Sequence, residues 1–177
     1  YRPLGMKNTM YNPPKDMWDN VAPTEVDTLW RKSLVRGIVH DENACILGGV
    51  AGHAGLFSTA SDLAIFTQML LNKGTYAGVR YLAESTVVAF TGRRLAGEDR
   101  YLGWDMKSPT GSSAGSLFSP TSFGHTGFTG TSVWVDPERR ISVILLTNRV
   151  HPTRANLKIS KVRPAVADAV IQALSKE

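Results

Sequence analysis

Hydrophobic residues in this chain follow a helical period in one stretch and a strand period in another. In the first stretch the apolar side chains recur three or four residues apart, at Leu63, Phe66, Met69 and Leu70. This spacing puts them on one face of a helix. Thr59 and Asp62 stand at the spacing of a capping box, and Gly74 follows the last apolar turn. The pattern therefore predicts a helix over residues 59–73.

From residue 122 onward the period of the apolar positions changes to two, which is typical of strands with one buried face. The pattern predicts three consecutive strands, over 122–128, 131–135 and 141–147. Turn-forming residues occupy the interval from Asp136 to Arg139, between the last two strands. Because such short connections join antiparallel neighbours, the segment predicts an antiparallel meander.

The rest of the chain divides into irregular stretches and short elements. Residues 1–58 are rich in Pro, Gly and Asn and predict a large irregular connection. Further along, the pattern predicts a helix over 83–91, a strand at 103–106 and a loop rich in Ser, Gly and Pro over 108–120. Within residues 155–177, Pro164 is expected to open a C-terminal helix. Its apolar stripe can cover one face of a sheet, through Val166, Ala169, Val170, Ala173 and Leu174.

Together these elements predict a single domain, residues 1–177, of the α/β class in its loose α+β sense. It combines a helical segment over 59–91, an antiparallel sheet of about three strands within 102–149, and the C-terminal helix. The 177 residues, 42% of them apolar, suffice for one packed core. No run of eighteen apolar residues occurs, so no membrane span is expected.

Charge and cysteine content narrow the possible chemistry. Cys45 is the single cysteine, which excludes an internal disulfide and a thiolate metal cluster. Part of the net charge of +5 gathers between Arg149 and Arg163, which fits either a solvated helix face or an anion-binding patch. That stretch holds no Phe, Trp or Tyr for base stacking, so nucleic-acid binding is not expected. No metal site or cofactor is predicted, because His and acidic residues show no metal-binding spacing.

His125 and Thr126 are flanked by glycines in the first strand of the predicted meander. Glycines there remove bulk where a substrate would lie against the strand edge, and the two polar side chains remain to touch it. Gly127 and Gly130 bracket Phe128, whose backbone N–H could point at a developing oxyanion if the edge is free. A glycine-bearing bend with a hydrogen-bonded histidine is the alternative interpretation of the same residues.

Residues 122–149 resemble the third motif of the serine β-lactamase and penicillin-binding-protein superfamily, normally K-T-G and here His125-Thr126-Gly127. Other segments resemble its class C β-lactamase-like branch, which includes esterases and D-amino-acid peptidases. They are PLGMKNT at 3–9, GGVAGHAGLFSTASDLAIFTQMLLNKG at 48–74, LGWDM at 102–106 and LLTNRVHPTR at 145–154. The resemblance implies the C-terminal portion of a β-lactamase/transpeptidase-like fold, in which the HDENA loop at 40–44 borders the active-site cleft.

The resemblance also implies a site built from S-x-x-K, Y-x-N and the K-T-G strand, of which this chain has only the third. No serine has Lys three positions later, and no tyrosine has Asn two positions later. The implied function is the C-terminal segment of a serine hydrolase that cleaves esters or amides through an acyl-enzyme and is inactive alone. Its partner would be the missing N-terminal half of the hydrolase domain. The alternative is a non-catalytic binding or scaffolding module, appended for example to a glycoside hydrolase.

His125 in place of lysine shapes the expected substrate. A neutral imidazole weakens carboxylate recognition, which favours ester or amide hydrolysis over β-lactam resistance. Arg149 or Arg154 could restore an anion contact, since guanidinium groups match carboxylates. Asn148 and Arg149 fit substrate binding and a solvated strand end equally well. Small esters, amides or peptidoglycan-like compounds are the expected substrates, and the resemblance implies a periplasmic or exported protein.

The last predicted strand has consequences for assembly. The resemblance implies an N-terminal strand beside it, and this chain supplies no such strand. The apolar run ISVILLT at 141–147 would then form an open sheet edge. We therefore expect self-association through that edge.

Overall fold

The computed structural model describes residues 1–92 and 100–175. Its helices are α1 (Glu42–Ile46), α2 (Ala60–Leu71), α3 (Glu84–Thr91) and α4 (Ile159–Leu174). Its strands are β1 (Met10–Tyr11), β2 (Val26–Asp27), β3 (Ser33–Leu34), β4 (Leu56–Phe57), β5 (Thr75–Tyr76), β6 (Val79–Arg80), β7 (Asp105–Met106), β8 (Phe123–Thr126), β9 (Ser132–Asp136) and β10 (Ile141–Leu145). Short 3-10 helices cover Arg2–Leu4 and Lys15–Asn20.

The predicted antiparallel meander is confirmed as β8, β9 and β10, and β7 adds a fourth strand to the same sheet. The strand order is β10-β9-β8-β7, with every pair antiparallel. β8 ends at Thr126, earlier than predicted, because the Gly127 carbonyl accepts a hydrogen bond from the Gly130 N–H at 3.0 Å, which closes a tight turn instead of continuing the pairing with β9. Residues 1–58 contain α1 and the short strands β1 to β4, joined by irregular stretches. No helix among the described residues is long and apolar enough to cross a membrane.

β9 lies between two hydrophobic cores, because its side chains alternate between the two faces of the sheet. On one face Val135 packs with Met69 of α2 and Val87 of α3. On the other face Trp134 packs with Ile171 of α4. The main sheet therefore separates two layers, one formed by α2 and α3 and the other by α4.

α2 confirms the helix expected at 59–73, although it ends earlier. The Thr59 hydroxyl accepts a hydrogen bond from the Asp62 N–H, as the capping spacing predicted. The buried Asp62 carboxylate accepts further hydrogen bonds, from the Asn8 N–H at 2.7 Å and the Thr9 hydroxyl at 2.8 Å. This carboxylate therefore ties the irregular N-terminal region to α2.

The C-terminal helix begins earlier than predicted, at Ile159, and Pro164 lies inside it. The predicted position of its apolar stripe was wrong, since Ala167 and Ile171 are buried whereas Leu174 is exposed. The sheet decides this orientation, because the two buried side chains pack with the indole ring carried by β9. When Ala and Val residues are spread around a helix, the spacing of apolar residues locates its buried face only approximately.

β10 stands at one edge of the main sheet, and among the described residues no strand pairs with its outer side. Its five residues are all half-buried, because α2 and α4 pack against it. The apolar edge expected from the run ISVILLT is therefore present in the described part of the chain. Self-association through that edge stays a prediction.

Gly124 in β8 lies opposite Trp134 in β9, and a Cβ at this position would overlap the indole ring and the Val133 carbonyl oxygen. Gly124→Ala should therefore lower the free energy of unfolding by about 1–3 kcal/mol, the usual cost of overpacking a core. Urea unfolding followed by tryptophan fluorescence measures this difference. Gly52→Ala is the control, because a Cβ there has no neighbour within 4 Å. Equal losses in the two variants would contradict the explanation.

Candidate active site

His125 and Thr126 lie at the end of β8, where the strand has an open edge. β7 pairs with β8 only at Phe123 and Gly124, whereas β9 pairs with it as far as Thr126. Among the described residues, no strand covers the β7 side of β8 from His125 onward. His125 is exposed and Thr126 is half-buried. The two polar residues of the motif are thus presented at a free strand edge.

The glycines around the motif serve close packing. Gly124 makes room for the indole ring of β9 on the buried face of the sheet. A Cβ at Gly127 would overlap the Thr131 hydroxyl, and Gly130 has a φ of +122°, which favours glycine. The expectation that the glycine before His125 clears space for a substrate is therefore wrong, because the core needs that space.

His125 is held as a neutral imidazole by two hydrogen bonds. Its Nδ1 atom lies 2.8 Å from the Thr126 carbonyl oxygen, and its Nε2 atom lies 2.9 Å from Nη2 of Arg100. A carbonyl only accepts and a guanidinium only donates, so the proton is on Nδ1 and Nε2 is the acceptor. A guanidinium therefore stands beside the residue that replaces the lysine of K-T-G.

Phe128 follows the motif, and two ring contacts hold its side chain. The His40 ring stacks on it, with 5.7 Å between centroids and 23° between planes. The Arg149 guanidinium lies 4.2 Å from its centroid and donates from Nε to the Phe128 carbonyl at 2.8 Å. Among the described residues, nothing accepts a hydrogen bond from the Phe128 N–H. The geometry leaves this donor available to a ligand.

The turn that carries Phe128 is fixed by hydrogen bonds to all of its carbonyl groups, from residue 127 to residue 131. Arg163 donates from Nη2 to the carbonyls of residues 127 and 131, at 2.7 and 2.9 Å. Arg149 donates to the carbonyls of residues 128 and 129, and the Thr147 hydroxyl to that of residue 130. The backbone of the turn is therefore held in one conformation by groups from α4 and from the connection between β10 and α4.

An ion-pair network around the buried Glu25 carboxylate holds His40 in place. Its Nε2 atom lies 3.0 Å from Oε2 of Glu25, whose side chain is 8% exposed. The Arg154 Nε atom lies within 3.0 Å of both Glu25 oxygens, and its Nη2 atom donates to Glu42. The Arg154 hydrogen bonds lower the pKa of Glu25 to about 2, against the opposing effect of burial. The HDENA segment, which the resemblance implied to be a loop at the cleft, contains the first residues of α1 and contacts Phe128 through His40.

A cavity of about 340 Å³ opens beside the motif, between the end of β8 and the start of α4. Its wall includes Thr126, Phe128 and Ser160 together with the two cations Arg149 and Arg163. Burial and the nearby charge of Arg149 lower the pKa of Arg163. The wall holds no carboxylate, and most of its surface is apolar. Within residues 1–92 and 100–175, no three His, Cys, Asp or Glu side chains are placed to hold a metal ion.

The residues predicted to bind substrate after β10 use most of their polar groups within the protein, whereas the buried Oδ1 of Asn148 has no hydrogen-bond partner among the described residues. Asn148 directs its amide to the Thr24 carbonyl at 3.5 Å. The guanidinium of Arg149 donates to three backbone carbonyls, and that of Arg154 to two carboxylates. Substrate contact by these three residues stays a prediction.

Arg100 is a residue of this site that the sequence pattern did not reveal. It donates to His125 and forms an ion pair with Asp105, with 2.9 Å between Nη1 and Oδ1. Its position depends on the pairing of Asp105 with Gly124 across β7 and β8. Residues 100 and 125 are 25 positions apart, and no local period connects them. Only the long-range strand pairing brings the two side chains together.

Comparison with known proteins assigns the chain to a family. The beta-lactamase family model matches residues 1–167. The chain belongs to the beta-lactamase family. It is 37% identical over 175 residues to a Salmonella paratyphi B protein provisionally named D-alanyl-D-alanine carboxypeptidase, covering 90% of this chain and 40% of that protein. A Salmonella newport protein of the same name matches to the same extent, so the chain spans about 40% of the length of these relatives.

Solved structures share the fold. A beta-lactamase from Mycobacterium bovis matches with a TM-score of 0.62 and 22% identity, over 97% of this chain and 52% of that one. A penicillin-binding-protein homologue from Caulobacter crescentus matches with a TM-score of 0.61 and 21% identity, over 95% and 49%. The expected β-lactamase/penicillin-binding-protein-like fold is therefore confirmed, over about half the length of each structure.

Glu25 should make the stability of the fold depend on pH. Its pKa is about 2 in the folded chain, against an ordinary value of 4.5. The stabilisation of the fold by the ionised Glu25 carboxylate is therefore complete above pH 4.5 and is lost as the pH falls from 4.5 toward 2. Glu25→Gln should lower the free energy of unfolding by about 2 kcal/mol near neutral pH, and by progressively less in acid. Urea unfolding of both proteins across this pH range measures the difference.

Glu84→Gln is the matched control for that experiment. Glu84 is 52% exposed and pairs with Lys73 at 2.7 Å, so solvent screens its charge and its loss should have a much smaller effect. A Glu25→Gln penalty that does not change with pH would show that the Glu25 charge is not its cause.

Proposed function

We propose that this chain forms the C-terminal wall of the active site of a serine hydrolase that cleaves esters or amides through an acyl-enzyme. Membership of the beta-lactamase family supports a hydrolase. The S-x-x-K and Y-x-N motifs do not occur in these 177 residues. The proposal therefore assigns the nucleophile and the proton transfer to a segment outside this chain, and the chain alone is inactive.

The observation that carries the proposal is the backbone N–H of Phe128. It has no acceptor among the described residues, and it lies in a turn whose carbonyl groups are all hydrogen-bonded. An N–H that is held before the reaction stabilises negative charge on a carbonyl oxygen without reorganising as the charge develops. The open edge of β8 beside it gives a substrate access to His125 and Thr126.

The proposed reaction has two halves. A serine oxygen adds to the substrate carbonyl, its proton passes to a base, and the carbonyl oxygen becomes an oxyanion that accepts a hydrogen bond from Phe128. Collapse of this intermediate expels an alcohol or amine and leaves an ester on the serine. Water then hydrolyses the ester through a second intermediate of the same shape. His125, Thr126 and Gly127 form the wall along which the acyl group lies.

The proposed substrates are small esters, amides and peptidoglycan-like peptides. The provisional name of the Salmonella relatives supports a peptide bond between small D-residues as one candidate. His125 in place of lysine supports ester or amide substrates over β-lactams, because its neutral ring adds no charge to the strand. Esters and amides alike would present a carbonyl oxygen to the Phe128 N–H.

Covalent labelling separates a hydrolase from a non-catalytic binding module. The complete gene product should react with a fluorophosphonate probe and turn over p-nitrophenyl esters, whereas the 177-residue chain should do neither. Peptide mapping should place the label on a serine outside this chain. A folded complete product that shows no labelling and no turnover would overturn the hydrolase and leave the binding module.

Phe128→Pro tests the oxyanion contact, because proline has no backbone N–H. The variant should lower kcat of the complete gene product by about 10²- to 10³-fold, the usual loss when one oxyanion donor is removed. Phe128→Leu is the control: it keeps the N–H and loses only the ring contacts, so its kcat should fall far less. Steady-state kinetics on a p-nitrophenyl ester gives both values, and circular dichroism verifies folding. Equal losses in the two folded variants would refute a role for the N–H.

A further inference from the structure

We propose that Arg149 determines substrate specificity by occupying the carbonyl oxygen of Phe128. An acyl group that carries an N–H on the carbon next to its reacting carbonyl, as in a peptide, then finds no acceptor there. The site therefore favours acyl groups without such an N–H, which are those of simple carboxylic esters and amides. The inference rests on the proposed function, because it narrows the substrate class of the same site.

One residue at a strand edge can hold a peptide through two hydrogen bonds. In a hydrogen-bonded pair of an antiparallel ladder, two facing residues exchange both of their N–H···O=C bonds. Peptides that bind to the edge of a sheet use both main-chain groups in this way. In the proposed reaction the substrate carbonyl accepts from the Phe128 N–H. The N–H of the same substrate residue would then be directed to the Phe128 carbonyl.

The Phe128 carbonyl is already occupied by a cationic donor. Nε of Arg149 donates to it at 2.8 Å, and the Arg149 guanidinium lies 4.2 Å from the centroid of the Phe128 ring. The oxygen keeps a second lone pair, but another donor would bring its positively polarised hydrogen close to the guanidinium. Residue 128 therefore offers a substrate its N–H, whereas its carbonyl is a poor acceptor.

Further hydrogen bonds hold Arg149 in this position. Nη1 donates to the carbonyls of Arg154 and Asn156 at 2.7 and 3.1 Å, and the backbone N–H donates to the Thr129 carbonyl at 2.8 Å. A substrate N–H that displaced Nε would replace a charge-assisted hydrogen bond by a neutral one, which is weaker. The guanidinium should therefore stay on the Phe128 carbonyl when a substrate binds.

The neighbouring carbonyl groups do not substitute for that of Phe128. The Thr126 carbonyl accepts from Nδ1 of His125 at 2.8 Å, and the carbonyls of residues 127 and 129–131 accept from other groups of the chain. A peptide N–H that lay against residues 126–131 would lose its water and find no free backbone acceptor, which disfavours binding. A methylene group at the same place has no hydrogen bond to lose.

Two p-nitrophenyl esters test the proposal, the N-acetylglycinate and the 4-oxopentanoate. They share the leaving group, and the first has an N–H where the second has a methylene group. The measured quantity is the ratio of kcat/KM for the N-acetylglycinate to kcat/KM for the 4-oxopentanoate in the complete gene product. Arg149→Met should raise this ratio about 3- to 10-fold, because it frees the Phe128 carbonyl for one neutral hydrogen bond.

Thr147→Val is the matched control. It removes the donor to the Gly130 carbonyl, at 2.7 Å in the same turn, and leaves the bond from Arg149 to Phe128 in place. The ratio should therefore stay unchanged. No rise in Arg149→Met, or the same rise in both variants, would overturn the proposal. A loss of folding would lower the turnover of both esters together, and circular dichroism identifies it.

Hydrogen exchange in the unsubstituted 177-residue chain tests the occupied carbonyl without turnover. In ¹⁵N-resolved NMR the Arg149 Nε–H should exchange with water about tenfold or more slowly than that of the exposed Arg2, because it is hydrogen-bonded. Equal exchange rates would show that the carbonyl is free and would overturn the proposal. Slow exchange together with an unreactive complete gene product would overturn the hydrolase, while Arg149 would remain the group that closes this carbonyl to ligands.

Discussion

The packing of Trp134 over Gly124 is the contact on which the rest of this structure depends. A large ring on β9 faces a residue without a side chain on β8, so only one register of the two strands fits. A slip by one residue would turn every side chain of β8 to the opposite face and bring Phe123 or His125 against the indole ring. The observed register leaves His125 exposed at the strand end. The same indole ring anchors α4 through Ile171, and the start of α4 forms one wall of the cavity.

The turn after β8 is rigid because hydrogen bonds hold its carbonyl groups. The carbonyl groups from residue 127 to residue 131 are all hydrogen-bonded, whereas the N–H of Phe128 has no acceptor among the described residues. Two of the donors, Arg149 and Arg163, are cations. They fix the backbone and also make the surroundings of the N–H positive. Geometry and electrostatics in this turn therefore favour the same ligand, an oxygen that carries negative charge.

The sequence predicts the elements whose pattern lies within neighbouring residues. It does not predict contacts between residues that are far apart in the chain. The meander and α2 follow from periods of two and of three to four residues, and Thr59 caps α2 as its spacing to Asp62 predicts. The orientation of α4 does not follow, because it is set by the indole ring of a strand far away in the chain. The motif residues were found from their types and order, whereas Arg100 and His40 reach the site only through tertiary packing. Local periodicity gives no sign of either contact, although the resemblance had placed the HDENA segment, which contains His40, at the cleft.

Replacing lysine by histidine changes which part of the fold supplies positive charge at the strand edge. A lysine at position 125 would carry its charge on β8 itself, wherever β7 happened to lie. With His125, the cation comes from Arg100, whose position depends on its bridge to Asp105 and on the pairing of β7 with β8. The ion pair with Asp105 also offsets part of the arginine charge, so the edge attracts anions less strongly than a lone ammonium would. The position of this cation beside the motif is therefore coupled to the integrity of an edge strand only two residues long, β7. Loosening that strand would move the Arg100 guanidinium away from His125 while leaving the Phe128 N–H in its turn.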